Sequence, residues 1–277
     1  MKKRKFRWSN VYLLFVFVIL YLPIMYLIFY SFNEGGTMNS FTGFTWEHYL
    51  ALFADKRLIS TVLNTFLVAL FSALLATAIG TLGAIGIYFT KKRQMRNTLL
   101  SFNNVLMVSP DVIIGASFLI VFTFIGFRLG FLSVLLSHIA FSVPIVVLMV
   151  LPKLQEMNAS MITAAKDLGA NNLQVLSKII LPSITPGILA GYFMAFTYSL
   201  DDFAVTFFVT GNGFSTLSVE IYSRARQGVS LEINALSTIM FLFALVLVIG
   251  YYFLQQYNRT KKQKKREKRR IQVVNFS

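Results

Sequence analysis

The sequence predicts an all-α integral membrane protein with six spanning helices and both chain ends in the cytoplasm. Three observations carry that expectation. Of 277 residues, 56% are hydrophobic and 13% charged, and the mean hydropathy is +0.66. A soluble domain of this length lacks the interior to hide so much apolar surface. The apolar residues also gather in runs of about twenty or more, long enough to cross ~30 Å of hydrocarbon as a helix. Finally, the basic residues are segregated. Residues 1–10, 90–103, 152–186 and 258–277 hold 21 of the 26 Lys and Arg, leaving only Lys56, Arg57, Arg128, Arg224 and Arg226 for the other side. The positive-inside rule then places the first set in the cytoplasm.

The six runs fall near 11–32, 62–89, 104–127, 131–151, 187–211 and 236–257. The first follows a basic start, Met1-Lys2-Lys3-Arg4-Lys5. Its apolar stretch exceeds a signal core and no small-x-small site follows Tyr30, so it is expected to stay as a membrane helix. Pro23 inside it is tolerable where neighbours satisfy the freed carbonyl. In the second run Ala76, Gly80 and Ala84 recur every four residues with Gly83 beside them, a spacing that lets helix backbones approach closely. Only Arg128, Leu129 and Gly130 separate the third and fourth runs, which predicts a tight helical hairpin. The chain therefore reads as a short basic N-terminus (1–10), a six-helix domain (11–257) with a long cytoplasmic loop (152–186), and a basic tail (258–277).

Several function classes are excluded or weakened. No cysteine is present, which removes disulfides and thiolate metal sites. His48 and His138 are isolated and cannot share a metal; a single membrane histidine is expected to bond a neighbouring helix. No glycine precedes a lysine, so the chain has no phosphate-binding loop and binds no ATP itself. The net charge of +15 and the dense run Arg259–Arg270 are read as a cytoplasmic anchor on anionic lipid rather than a nucleic-acid surface.

The loop 152–186 has helical periodicity. Ser160 is expected to cap a helix carrying Met161, Ile162, Ala164, Ala165 and Leu168, with Gly169 as its left-handed stop. Asn171 or Asn172 is expected to cap a second, with Leu173, Leu176, Ile179 and Ile180 on one face and Pro182 at its end. The product is a knob of two short helices meeting at a glycine corner.

These residues carry a resemblance. Thr163-Ala164-Ala165-Lys166-Asp167-Leu168-Gly169, followed after nine residues by Ile179-x-Leu181-Pro182, resembles the cytoplasmic-loop signature of ATP-binding-cassette importer permeases. The resemblance implies the type I importer fold. It also implies that this loop docks into a cleft of an ATPase subunit and couples it to the membrane helices. One position departs: the family usually has a glutamate where this chain has Thr163, which puts that contact in doubt.

Ser109-Pro110-Asp111-Val112-Ile113, Ser199-Leu200-Asp201-Asp202-Phe203 and Val219-Glu220-Ile221-Tyr222-Ser223 further resemble the spermidine/putrescine branch of these permeases. So does Glu232-Ile233-Asn234-Ala235. The implied setting is a multi-pass plasma-membrane heterodimer of two homologous permeases. Two ATPase subunits would carry the ATP and Mg, and an external binding protein would deliver the polyamine.

The acids support a cationic cargo independently. Asp111, Asp201 and Asp202 are the only carboxylates within the runs. Each costs about 2.5–3.5 kcal/mol at mid-bilayer on insertion scales, so each should face a water-filled path or a partner. With no Lys or Arg in any run, no partner is expected within the chain. A polyamine would supply one, held between carboxylates and aromatic rings such as Tyr198, Phe203 and Phe207. The competing reading makes Asp201 a cap and Asp111 a local partner for backbone freed at Pro110. Glu220 and Glu232 are expected on the solvated outer side, steering cations or meeting the binding protein. Two alternatives stand: the same machine with thiamine or ferric ion as cargo, and a membrane-embedded aspartyl enzyme using Asp111 with Asp202.

Overall fold

The computed structural model describes residues 8–228, 231–246 and 249. The basic tail 258–277 and most of the basic N-terminus lie outside the described residues. The chain divides into two compact units, one of residues 56–223 and one formed by the segments on either side of it.

The central unit is built on three long helices, α3 (Lys56–Phe89), α6 (Phe131–Glu156) and α9 (Leu181–Asp201). They pack together because small residues on α3 and α9 receive the valines and leucines of α6. A Cβ on Gly80 of α3 would sit 2.7 Å from Val146 Cβ and 3.0 Å from the Val143 carbonyl of α6. A Cβ on Gly191 of α9 would likewise lie 3.2 Å from Val146 Cγ1. Val146 thus packs against both glycines, and the buried cluster Ala76, Ala84, Val150, Leu154, Ile184 and Ala195 continues the same seam. The expected Ala76/Gly80/Ala84 packing face is where the sequence places it, whereas Gly83 meets only Val147 at 3.8 Å. Outward-facing Leu and Phe side chains of these helices are exposed, which suits a lipid solvent.

The third run is not one straight helix. α4 (Arg93–Val108) and α5 (Asp111–Phe124) meet at a bend of 105°. Pro110 offers no N–H and forces Ser109 into extended backbone at ψ 136°. Nor do the third and fourth runs form a tight hairpin. After the turn at 125–130, α5 packs chiefly on α10 (Ala204–Val209). The two approach at Gly115, where a Cβ would meet Val205 Cα at 3.0 Å.

The fifth run differs at both ends. The helix is continuous from Asn172 to Asp201, so Pro182 does not terminate it. The segment Leu176–Ile180 widens into a π turn, with the Leu181 N–H donating to the Leu176 carbonyl. That extra residue makes room for the proline ring against the preceding turn, whose carbonyl loses its donor at Pro182. It also rotates the register. Val175 and Ile180 are buried while Leu173 is exposed, correcting the single-face expectation. At the other end the span stops at Asp201 and resumes at Ala204.

In the flanking unit, α1 (Trp8–Tyr30) runs unbroken through Pro23. Buried Asn33 organises the following loop, donating to the carbonyls of Thr37 (2.6 Å) and Ser40 (2.9 Å) and accepting from the Thr42 N–H (2.8 Å). Beyond α2 (Glu47–Ala54), Arg224 joins Asp55 and Glu232 as a clamp. α12 (Leu231–Val246) begins earlier than the sixth run suggested, and its Phe241 ring lies 6.4 Å from Tyr21 of α1.

Candidate functional site

Two sites emerge, a knob on the loop between α6 and α9 and a polar break inside the membrane domain. The knob starts with α7 (Ser160–Asp167). Ser160 does not cap it. Asn158 does, its Oδ1 accepting from the Ser160 N–H at 3.0 Å and from the Ser160 hydroxyl at 2.7 Å. The correction has a simple cause, since the Asx side chain two residues earlier competes better for those donors. At the other end, the Ala170 N–H donates to the Ala165 carbonyl and the Gly169 N–H to the Lys166 carbonyl, both at 2.9 Å. With Gly169 at φ +82°, this is a complete Schellman stop at the expected glycine.

The next helix, α8 (Asn172–Val175), is capped by Asn171. It accepts from the Gln174 N–H at 2.8 Å, while Gln174 accepts from the Asn171 N–H at 2.9 Å. Ile162 and Ala165 face the core cluster. Thr163, Ala164, Lys166, Asp167, Leu168 and Gly169 are exposed, and Ile179 and Leu181 are half-buried beside exposed Pro182. The knob therefore shows small and apolar groups outward, Leu168 most of all at 89% exposure.

The break in the fifth span is held by its own side chains. Asp202 leaves the helix (ψ 124°) and accepts from the N–H groups of Val205 (3.3 Å) and Thr206 (2.9 Å) and from the Thr206 hydroxyl (2.7 Å). These bonds satisfy the orphan donors at the start of α10. His138 of α6, fully buried, places Nδ1 2.7 Å from Ser199 Oγ and Nε2 2.8 Å from Thr206 Oγ1. The same Nε2 lies 3.4 Å from Asp202 Oδ2. Ser72 of α3 donates to Ser199 at 3.0 Å, and Ser218 of α11 (Leu217–Gln227) donates to the Asp202 carbonyl at 2.7 Å. Five helices are tied at one point. The isolated histidine does bond neighbouring helices, as expected. The expectation that all three acids lack a partner fails for Asp202.

Among the described residues, the other two acids are not hydrogen-bonded to this cluster. Asp111 opens α5 at the Pro110 elbow and accepts from the Tyr198 hydroxyl at 2.7 Å. Tyr198 also stacks edge-on against Phe141, with centroids 5.0 Å apart. Asp201 is exposed and follows Tyr198 by three residues, so the two share a helix face. Phe203 joins Tyr222 (4.7 Å) and Phe207 (5.4 Å) in an aromatic group just past the break. Glu220 belongs to neither set. It is 3% exposed and pairs with Arg57 at 3.0 Å, against the expectation of a solvated outer acid. Sequence reasoning missed Ser72, Ser199, Thr206 and Arg57. The usable signal was Ser199-x-x-Asp202-x-x-x-Thr206, a polar stripe at helical spacing across an otherwise apolar run.

Comparison with known proteins is consistent with this architecture. Residues 76–264 match the family described as binding-protein-dependent transport system inner membrane component. The spermidine/putrescine transport system permease protein PotC of Haemophilus influenzae is 38% identical over 248 residues, spanning 88% of this chain and 95% of that relative. PotC of Escherichia coli K12 is 40% identical over 238 residues, 85% of this chain and 89% of its own length. The putrescine transport system permease protein PotI of Escherichia coli K12 is 33% identical over 266 residues, 94% of each.

Among solved structures, a chain of a bacterial ABC transporter involved in alginate import superposes with a TM-score of 0.68 at 19% identity. The match covers 88% of this chain and 93% of that one. A chain of the inward-facing MetNI methionine ABC transporter gives 0.60 at 19% identity, covering 75% and 95%. At such identity these two speak for the fold alone. The chain belongs to the family of binding-protein-dependent transport system inner membrane components, and is a multi-pass membrane permease subunit rather than an enzyme.

Proposed function

We propose that this chain is one of two different permease subunits of an ATP-driven importer that carries spermidine or putrescine by alternating access. The observation that carries the reading is the 38% identity to a spermidine/putrescine permease across 88% of the chain. The intramembrane acids agree with it, since Asp111 and Asp201 offer negative charge beside Tyr198 and favour a cation over an anion.

With six spans and both ends inside, the knob Thr163–Gly169 faces the cytoplasm. There it would seat in an ATPase subunit that binds ATP and Mg. Ala164, Ala165, Lys166, Asp167, Gly169, Ile179, Leu181 and Pro182 form or support its surface. Closure of the ATPase pair moves the knob, and the packed α3–α6–α9 seam passes that motion to the break at Asp202. Cargo released by an external binding protein then passes Glu220, Phe203, Asp201 and Asp111. Asp202 shapes the path rather than touching cargo, because its oxygens already serve α10 and His138.

In the reconstituted complex, polyamine-loaded binding protein should stimulate ATP hydrolysis and uptake. If thiamine or ferric ion with its own binding protein stimulates and polyamine does not, the cargo assignment is wrong. The knob has a separate test. At Gly169 a side chain meets nothing within 4 Å, yet left-handed backbone costs a non-glycine residue roughly 1–2 kcal/mol. Gly169→Asp adds that strain and a charge at the docking tip. Uptake should fall at least about tenfold, the equivalent of 1.4 kcal/mol, while the permease still accumulates in the membrane. Undiminished transport by an assembled Gly169→Asp complex would show that the corner does not seat in the ATPase.

A further inference from the structure

A cavity of about 510 Å³ lies between the first turns of α3, the loop 210–215 and the start of α11. Its walls carry hydroxyl and amide groups, among them Ser60, Asn64, Asn212 and Ser223, with Phe214 as the aromatic contribution. One carboxylate faces it, Glu220. The pair that Glu220 makes with Arg57 is lopsided: the acid side chain is 4% exposed and the guanidinium side chain 74%.

The two partners differ in how freely they can leave. Glu220 is fixed because the Leu217 N–H donates to Thr65 Oγ1 at 2.7 Å, pinning the first turn of α11 onto α3. Its own N–H is held by the Thr216 carbonyl at 3.0 Å. Arg57 reaches in from water on a long, flexible side chain, and its head can return there at little cost. Withdrawing a cation from a buried carboxylate is unfavourable, so an ammonium arriving in the cavity favours the exchange of Arg57 for itself. The surroundings define that cation. A primary ammonium has three donors and no acceptor, and it needs a carboxylate plus further oxygens around it. Glu220 with the neighbouring hydroxyl and amide oxygens supplies that set, and Phe214 offers a face to an adjoining methylene chain.

We propose that this cavity is a subsite for a primary alkylammonium, in which the ammonium of the cargo replaces Arg57 on Glu220. Arg57 is then a tethered stand-in that holds the ammonium's place on the carboxylate between cargoes. The proposal rests on the polyamine reading above, and its test separates the two.

The chain has no cysteine, so Asn64→Cys puts a single thiol in the cavity wall. In the full complex, modification of this thiol by 2-aminoethyl methanethiosulfonate is followed by the mass of this chain. Spermidine or putrescine should slow modification, and Glu220→Gln should remove the protection. Arg57→Gln should lower the protecting concentration about fivefold, the upper range for an exposed ion pair. Protection that survives Glu220→Gln, or a protecting concentration that Arg57→Gln leaves unchanged, overturns the proposal. If Glu220→Gln fails to assemble, Glu220→Asp keeps the charge but withdraws it, and protection must still weaken. Uptake by the same complex is the second readout. Uptake of polyamine without protection of the thiol overturns the subsite alone. A complex that takes up no polyamine overturns the functional reading, while protection still decides the subsite.

Discussion

Gly80→Leu should leave no assembled permease in the membrane, and Gly80→Ala should already be severely destabilised. Even the first added carbon falls 2.7 Å from Val146 Cβ, 2.8 Å from its Cγ1 and 3.0 Å from the Val143 carbonyl oxygen. Carbon atoms prefer about 3.5–4.0 Å, so α3 and α6 must part by nearly an ångström. Two features block relief. The oxygen belongs to backbone, and Val146 is also packed by α9, where a Cβ on Gly191 would fall 3.2 Å from its Cγ1. Overpacking of this kind typically costs about 1–3 kcal/mol per inserted group, and more where backbone must move. Val146→Ala should therefore not rescue Gly80→Ala, because the Cβ and the carbonyl contacts persist.

The same helix supplies its own controls. Gly83→Ala meets only Val147 at 3.8 Å, and Gly86→Ala meets nothing within 4 Å. Both should be tolerated, or slightly favoured by the roughly 1 kcal/mol helix advantage of Ala over Gly. Thermal aggregation of the solubilised complex would rank the three. Equal loss at Gly80 and Gly86 would show that the close approach is not what holds α3 to α6.

The contrast among these glycines shows what the sequence could and could not disclose. Period-four spacing locates a packing face on a helix, because side-chain direction repeats with the helix turn. It cannot say which member of the face touches backbone, since that depends on where α6 crosses. Spans and basic-residue asymmetry are legible for the same reason: they follow from composition averaged over many residues. Breaks are not averages. The bend at Ser109–Pro110 was signalled by a proline, but only as a local kink, and hydropathy still read the run as one span. The interruption at Asp202–Phe203 has no proline or glycine at all. It exists because an aspartate turns its carboxylate onto the backbone donors that open α10, a local choice that hydropathy does not register. Pro182 erred in the opposite direction. A π turn absorbed it, so a residue that ordinarily ends a helix sits inside one.

The site was legible to a similar depth. Gly169 as a stop and Asn171 or Asn172 as a cap follow from backbone chemistry alone, and the structure has Gly169 and Asn171 in those roles. Asp111, Tyr198 and Asp201 were read as parts of a cation path, but only the fold shows that Asp111 accepts from Tyr198 across 87 residues of chain. Glu220 was misjudged because burial is a property of what surrounds a helix. The surrounding pieces, Arg57 and the loop 210–215, lie on other elements of the fold.

His138→Ala should carry the second large loss, and the reason separates two kinds of interaction. Individual hydrogen bonds between membrane helices average about 0.6 kcal/mol, so losing the contacts to Ser199 and Thr206 alone would be modest. Ser199 also keeps its bond from Ser72. Most of the loss arises at Asp202. Its side chain is 5% exposed, and removing the imidazole leaves a void on one flank of the carboxylate, bordered by the Ser199 and Thr206 hydroxyls. Leaving a buried group without one of its partners costs roughly 1–3 kcal/mol, more when that group is charged and above the worth of the bonds themselves. The break then loses the tie joining α6 to both halves of the fifth span, and uptake should collapse with stability.

A double-mutant cycle tests this attribution directly. Asp202→Asn retains an oxygen for the Thr206 N–H and should be mild alone. Combined with His138→Ala, it should recover much of the loss, giving a coupling of about 0.5–3 kcal/mol. The thermal midpoint of the solubilised complex and polyamine uptake should move together across the cycle. Strict additivity would mean that His138 acts only as a packed ring, and that Asp202 holds the break through α10 alone.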